Sequence, residues 1–171
     1  MPPVLNSKDI KRLLDTSPPI VEGLLDIEKQ LQPGGIDLTL QTVASFSSPG
    51  AIGYDNKERI ISDTSPLSFT DSGTINLATG CYLITYNEVV HLPQNIMALG
   101  LPRSSLLRCG VSINTAVWDA GYSGRSQSLL VIYNPMGFLL HKNAKVLQLI
   151  FFQLSSPVEQ GYTGIFQGEN L

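Results

Sequence analysis

The segment GLPRSSLLRCG, Gly100 to Gly110, sets Arg103, Ser104, Ser105 and Arg108 inside an otherwise apolar region of a chain that holds only 11 lysines and arginines. A guanidinium carries its donors in a fixed planar fork that fits phosphate oxygens. Hydroxyls and the N–H groups of a turn or helix start add further donors for an anion. Pro102 biases Leu101 towards extended backbone, so a strand is expected to end here and the serines to open a turn or a short helix. A plainer alternative fits the same residues: a serine-capped helix with its arginines on the surface. This segment alone leaves both open.

NTAVWDAGYSG, Asn114 to Gly124, reads as an apolar strand ending at an acid, followed by a glycine-bordered turn that carries a tyrosine. Asp119 there can take a proton from a water, and Tyr122 can stack on a sugar or a base. Ordinary β-turn chemistry is the alternative, because Asp-X-Gly is common in turns. In QPGGIDLTL, Asp37 sits at the second step of a strand, where acids are depleted. It is either functional or an outward-facing member of the alternation. Gln148 lies in the very apolar VLQLIFFQL and needs partners if buried. His91 and His141 are isolated, so a histidine metal site or a Ser-His-Asp triad has little to work with. Cys81 and Cys109 lack metal-ligand spacing and are expected to be free, buried thiols.

The elements that must position these residues are mostly strands. Asn6 or Ser7 can cap a short helix through KDIKRLLDT, with Ile10, Leu13 and Leu14 on one face and SPP at 17–19 as its stop. Ile36, Leu38 and Leu40 alternate with Asp37, Thr39 and Gln41, the period of a strand. Residues 47–73 are rich in Ser, Pro, Gly and Asp and predict a long surface excursion with one short strand, RIIS. After Gly80 the segments CYLITYNEVVHL, NIMALGL, GVSINTAVW, SLLVIYN and VLQLIFFQL read as strands separated by turn residues. No long helical period intervenes, so an all-β sandwich or barrel is favoured over a parallel α/β fold. The last eleven residues, GYTGIFQGENL, lack strand alternation and read as a mobile tail behind one domain over 1–160.

Composition narrows the function. With 43% hydrophobic and only 15% charged residues, much of the surface is expected to be covered by self-association. A net charge of −3 argues against a general nucleic-acid surface, so phosphate binding has to come from a local cluster. No apolar run is long enough to span a membrane. The opening MPPVLNSKDIKRLL lacks the continuous apolar core of a signal peptide, which points to the cytoplasm.

Taken in order, PGGIDLTL, PRSSLLRCG, DAGYSG, QLIF and the Gly/aromatic tail resemble the five motifs of the deoxyuridine triphosphatase family, and in particular its archaeal branch shared with deoxycytidine triphosphate deaminase. The resemblance covers residues 30–171 and is strongest over 98–134. It implies a jelly-roll-like, distorted β-barrel that forms homotrimers with sites between subunits. It implies that Arg103 and Ser104 grip a triphosphate, with Ser105 and Arg108 in support, and that Gln148 adds a phosphate contact. Asp119 matches the acid that deprotonates the attacking water, and Tyr122 the ring under the deoxyribose. Asn114 and Thr115 match the hairpin that reads the pyrimidine. Asp37 matches the acid that places hydrated Mg²⁺. Tyr162, Phe166 and Gln167 match the tail that closes over the nucleotide. The sequence departs from the pattern at Pro102, where glycine is usual, and in the tail, where Ile165 stands in place of a basic residue.

The two branches of the resemblance differ in chemistry. Deamination needs a carboxylate to shuttle protons at C4 of cytosine, a glutamate whose position falls on Leu129 or Val131. The arginine that deaminases carry before the aspartate is replaced by Val117 and Trp118. Gln127, the nearest polar side chain, cannot shuttle protons. Phosphate hydrolysis needs only a positioned water, Asp119, Mg²⁺ and donors. The expected activity is therefore hydrolysis of dUTP to dUMP and pyrophosphate. dCTP deamination and a non-catalytic nucleotide-binding regulator stand as alternatives.

Overall fold

The computed structural model describes residues 4–171. Met1–Pro3, the start of the segment read for a leader, lie outside them. The chain opens with α1 (Ser7–Leu14), β1 (Val21–Glu22), α2 (Ile27–Gln30), β2 (Leu31–Gln32) and the long β3 (Gly35–Phe46). After the excursion come β4 (Thr64–Leu67), β5 (Thr74–Leu77), β6 (Gly80–Tyr86), β7 (Val89–His91) and β8 (Ile96–Pro102). The remainder is α3 (Ser104–Arg108), β9 (Val111–Asn114), β10 (Ser123–Gly124), β11 (Gln127–Ile132), β12 (Phe138–His141) and β13 (Lys145–Gln153).

Asn6 starts α1 as the sequence predicts. Its side chain accepts from the Lys8 and Asp9 N–H groups at 2.9 and 3.2 Å, and Asp9 reaches back to the Asn6 N–H. Ile10 is buried, and Leu13 and Leu14 pack against the core.

The main sheet runs β8-β13-β3-β6-β11-β9. Its two outer strands approach each other: Ala98 of β8 exchanges backbone hydrogen bonds with Trp118, and the Thr115 hydroxyl donates to the Gly100 carbonyl at 3.3 Å. The sheet is thereby nearly closed into a barrel, which removes most of its edge. Smaller sheets, β1-β7-β10 and β12-β5, flank it.

β3 is central, paired with β13 on one side and β6 on the other. Ile36, Leu38 and Leu40 are fully buried, as the alternation predicts. Asp37 and Thr39 on the opposite face are buried as well, at 1% and 2% exposure, so the outward-facing reading of Asp37 is wrong. Their face is covered by the α2–β2 segment. Gln30 donates to the Asp37 carbonyl and Gln32 to the Asp37 carboxylate.

Three further expectations are corrected. RIIS does not form a strand; Ile60 makes only an isolated bridge with Ala51, and the strand lies later, at β4, where Thr64–Leu67 can pair with the end of β3. The strand before Asp119 stops at Asn114, because the backbone from Thr115 leaves β11 and crosses to β8 at Trp118. Cys81 and Cys109 are free but exposed, on β6 and after α3, rather than buried.

Glu88 is fully buried between β6 and β7 and holds β3 in place. It accepts from the Thr39 N–H at 2.8 Å, the Thr39 hydroxyl at 2.6 Å and the Gln30 amide at 2.7 Å. Burial pushes its carboxyl above the usual glutamate value, while these donors pull the other way. An acid raised on folding binds its proton more tightly in the native chain. Its contribution is therefore present below the ordinary value and lost as pH rises through the raised one. Asp37 and Glu169 are shifted in the same direction. Urea unfolding is expected to show stability falling with rising pH across that window, with a shallower slope in Glu88→Gln. At neutral pH that variant turns an amide N–H towards the Thr39 N–H and is expected to lose about 1–3 kcal/mol.

Candidate active site

Two clusters of candidate residues form on the barrel. The first gathers where β3, β8 and β13 run side by side. Gln148 is cross-strand partner to Asp37 on β3 and to Leu101 on β8. The Asp37 Oδ2 atom meets Arg103 Nε at 3.3 Å, Lys145 Nζ at 3.4 Å and Gln32 Nε2 at 3.1 Å. Burial raises the Asp37 carboxyl, opposed by the charges of Arg103 and Lys145. One buried carboxylate beside two cations leaves the group with a net positive charge, suited to an anion. α3 begins directly after Arg103, with no side-chain cap. Ser104 and Ser105 lie exposed within its first turn, so the serine-capped reading does not hold. Arg108 folds back to donate to the Ser104 carbonyl at 2.9 Å.

The second cluster is built on the turn Asp119–Gly124. Gly121 has φ +85°, and a Cβ there would stand 2.6 Å from the Gly161 Cα, so the turn needs glycine both for its backbone and for the chain passing over it. Asp119 is exposed, whereas Tyr122 is buried at 5% exposure. The Tyr122 hydroxyl donates to Glu169 at 2.8 Å, and its ring meets Tyr162 edge-on at 5.8 Å. Burial and then Glu169 push the Tyr122 hydroxyl far above its usual range, which keeps it protonated as a donor. Burial also raises Glu169, and the bond from Tyr122 partly offsets this.

The tail is laid along this turn without forming helix or strand. Tyr162 N–H donates to the Ala120 carbonyl and Gly168 N–H to the Ser123 carbonyl, at 2.8 and 2.7 Å. Gln167 spends its amide on the turn, accepting from Ser123 N–H and donating to the Gly121 carbonyl. Arg125 and Asn170 exchange two side-chain-to-backbone bonds, and the Arg125 guanidinium also donates to the Asn87 carbonyl.

Between the turn, the tail and the excursion lies a cavity of about 690 Å³. Asp119, Tyr122, Tyr162, Phe166 and Glu169 line one side. Apolar residues of the excursion, among them Ile52, Ile60 and Ile61, line another. Trp118 closes the floor, its indole N–H donating to Ser126 at 2.9 Å.

The structure brings Asp119, Tyr122, Tyr162 and Phe166 together as the sequence predicts, and separately Asp37, Arg103 and Gln148. The wall of this cavity includes none of Asp37, Arg103, Ser104 or Gln148. Asn114 and Thr115 do not line it either; Ala116 and Val117 do, because the strand ends before the hairpin tip. Sequence reasoning missed Lys145, Gln32, Glu169 and the apolar excursion. It also missed a contact of His91, which was read as isolated. His91 Nδ1 lies 2.7 Å from the Ser123 hydroxyl and Nε2 lies 3.2 Å from Glu22. These three residues tie β1, β7 and β10 together. Ser123 N–H is already given to Gln167, so this N–H does not serve as an oxyanion donor for a triad. Among the described residues, no group of three or more His, Cys, Asp or Glu is placed to hold a metal ion, and no helix is long and apolar enough to cross a membrane.

The barrel is also the fold that comparison with known proteins returns. Residues 4–154 match the family model described as dCTP deaminase-like, and the chain belongs to this family. A Methanosarcina mazei protein named probable deoxyuridine 5'-triphosphate nucleotidohydrolase is 47% identical over 167 residues, 98% of each chain. An Archaeoglobus fulgidus protein of the same name is 40% identical over 168 residues, 98% of each chain. Among solved structures, the 2'-deoxycytidine 5'-triphosphate deaminase from Agrobacterium tumefaciens superimposes with a TM-score of 0.62 at 21% identity. That match covers 88% of this chain and 48% of the other, and it shows the shared fold.

Proposed function

We propose that the protein hydrolyses dUTP to dUMP and pyrophosphate, as a cytoplasmic enzyme. The observation that carries this is the exposed Asp119 on the wall of a mostly apolar cavity, beside a buried, protonated Tyr122 and beneath the tail. The relatives' printed name supports the same substrate.

In this reading Asp119 takes a proton from a water as its oxygen attacks the α-phosphorus. The bond from that phosphorus to the bridging oxygen breaks, and pyrophosphate departs. Arg103, Ser104, Ser105 and the backbone N–H groups at the start of α3 stabilise the charge that develops, with Gln148 and Arg108 in support. Tyr122 supports the deoxyribose, and Tyr162, Phe166 and Gln167 hold the closed tail that excludes water. Asn114 and Thr115 belong to the hairpin that contacts the pyrimidine edge.

Mg²⁺ fits this chain as an ion carried by the triphosphate. In this reading Asp37, only 1% exposed and held through Oδ2 by Arg103, Lys145 and Gln32, helps place the hydrated ion by fixing the two cations towards the phosphates that carry it. When bound, Mg²⁺ would neutralise phosphate charge. The two clusters lie apart on one chain, so the complete site is read as shared between subunits of a homotrimer, one supplying Arg103 and the next Asp119.

Deamination of dCTP is the second reading, and the family description favours testing it. Leu129 and Val131, in mid-strand on β11, are aliphatic, so neither position offers a carboxylate. Incubation with dUTP or dCTP plus Mg²⁺ is expected to give pyrophosphate from dUTP and no enzyme-dependent ammonia from dCTP. Ammonia release at a rate comparable to dUTP hydrolysis would overturn the assignment.

A further inference from the structure

Gln127 opens β11 on the wall of the cavity, one residue past Ser126. Three other polar groups on that wall are occupied. Tyr122 and Glu169 are bound to each other, and Ser126 receives the Trp118 indole. Gln127 makes one bond, from Nε2 to the hydroxyl of the buried Thr85 at 3.0 Å. Its Oε1 and its second Nε2 hydrogen take no part in that bond. The side chain is exposed, so the free end of the amide is accessible. Leu83, Ala116, Val117 and Trp118 around it supply apolar surface for a flat ring.

We infer that Gln127 is the specificity-determining residue that reads the edge of the pyrimidine; this rests on the reading of the cavity as a dUTP site. Uracil presents an acceptor, O4, beside a donor, N3–H. An amide held by one Nε2 hydrogen offers the matching pair, N–H to O4 and Oε1 to N3–H. Cytosine presents the reverse, an amino donor at C4 beside the acceptor N3. Meeting it requires the amide to turn over and the Thr85 hydroxyl to reverse from acceptor to donor. Gln127 thereby does a different task from a deaminase carboxylate: it sorts bases and moves no proton.

The test uses the full chain with Mg²⁺ and measures kcat/KM for pyrophosphate release from dUTP and dCTP. Calorimetric binding of dUMP and dCMP is measured alongside. Gln127→Ala is expected to lower kcat/KM for dUTP roughly 5- to 100-fold, the loss of two neutral hydrogen bonds, with a much smaller change for dCTP. Gln127→Glu offers only acceptors, so the binding ratio should move further towards dCMP. Thr85→Val frees the amide to turn and should narrow the ratio while leaving Gln127 in place. An active wild-type protein whose dUTP-to-dCTP ratio is unchanged in Gln127→Ala would overturn this assignment alone. A wild-type protein that releases no pyrophosphate from dUTP would instead overturn the hydrolase reading. Even then, equal losses of dUMP and dCMP binding in Gln127→Ala would overturn the role given to Gln127.

Discussion

Asp119→Asn is expected to lower kcat for dUTP hydrolysis by about 10²–10⁴-fold while folding and nucleotide binding stay close to wild type. Asparagine keeps the size and hydrogen-bonding reach of the side chain but cannot accept the proton of the attacking water. Asp119 is exposed, and no hydrogen bond of the turn depends on its carboxylate, so the barrel is expected to melt as before. The turn itself is held by backbone bonds, including Tyr122 N–H to the Asp119 carbonyl at 3.1 Å. Single-turnover measurements with dUTP separate the chemical step from binding. Near-normal turnover would remove Asp119 from its role as base. The proposed sharing of the site between subunits of a homotrimer adds a second readout. Arg103→Ala subunits lack one half and Asp119→Asn subunits the other. Unfolding and refolding the two inactive variants together is expected to restore part of the activity, because some trimers then hold one intact site. No recovery in mixed oligomers would place the whole site within one chain.

Removal of residues 161–171 is expected to leave a folded oligomer whose kcat/KM for dUTP is reduced by about 10²-fold, the scale of a badly positioned substrate. Most of the tail side chains are exposed and add little to the core, Tyr162 being the one that packs against it. What the tail does supply is one wall of the cavity, through Tyr162, Phe166 and Glu169. Without it Tyr122 loses the Glu169 bond, and the reacting groups stand open to water. Sedimentation and melting curves check the fold, and pyrophosphate release checks the loss. Full activity in the truncated chain would show that the tail is no lid.

Strand content, the N-terminal helix and the order of the site motifs were legible in the sequence because each rests on local signals. Period two over Ile36–Leu40, the Asn6 cap and the glycines around Tyr122 are read within a few residues. What stayed hidden depends on partners far along the chain. Asp37 alternates like an exposed residue, and only the packing of Gln30, Gln32 and Lys145 buries it. His91 looks isolated because Glu22 and Ser123 reach it from other strands. The excursion's composition marks it as surface, yet its few isoleucines are what turn inward to line the cavity. Asp119 and Tyr122 were found by motif, whereas Glu169 lies in a tail with no periodicity to mark it.

The central position of β3 has a consequence for how the chain is made. One of its long partners, β13, leaves the ribosome long after β3. A twelve-residue strand whose first half is buried must therefore wait, unpaired on that side, until β13 emerges. Pairing between distant segments is slow, and unpaired apolar strands invite aggregation. Nascent chains stalled before β13 should be protease-sensitive and in need of a holdase chaperone, whereas the completed chain closes its barrel in one late, cooperative step.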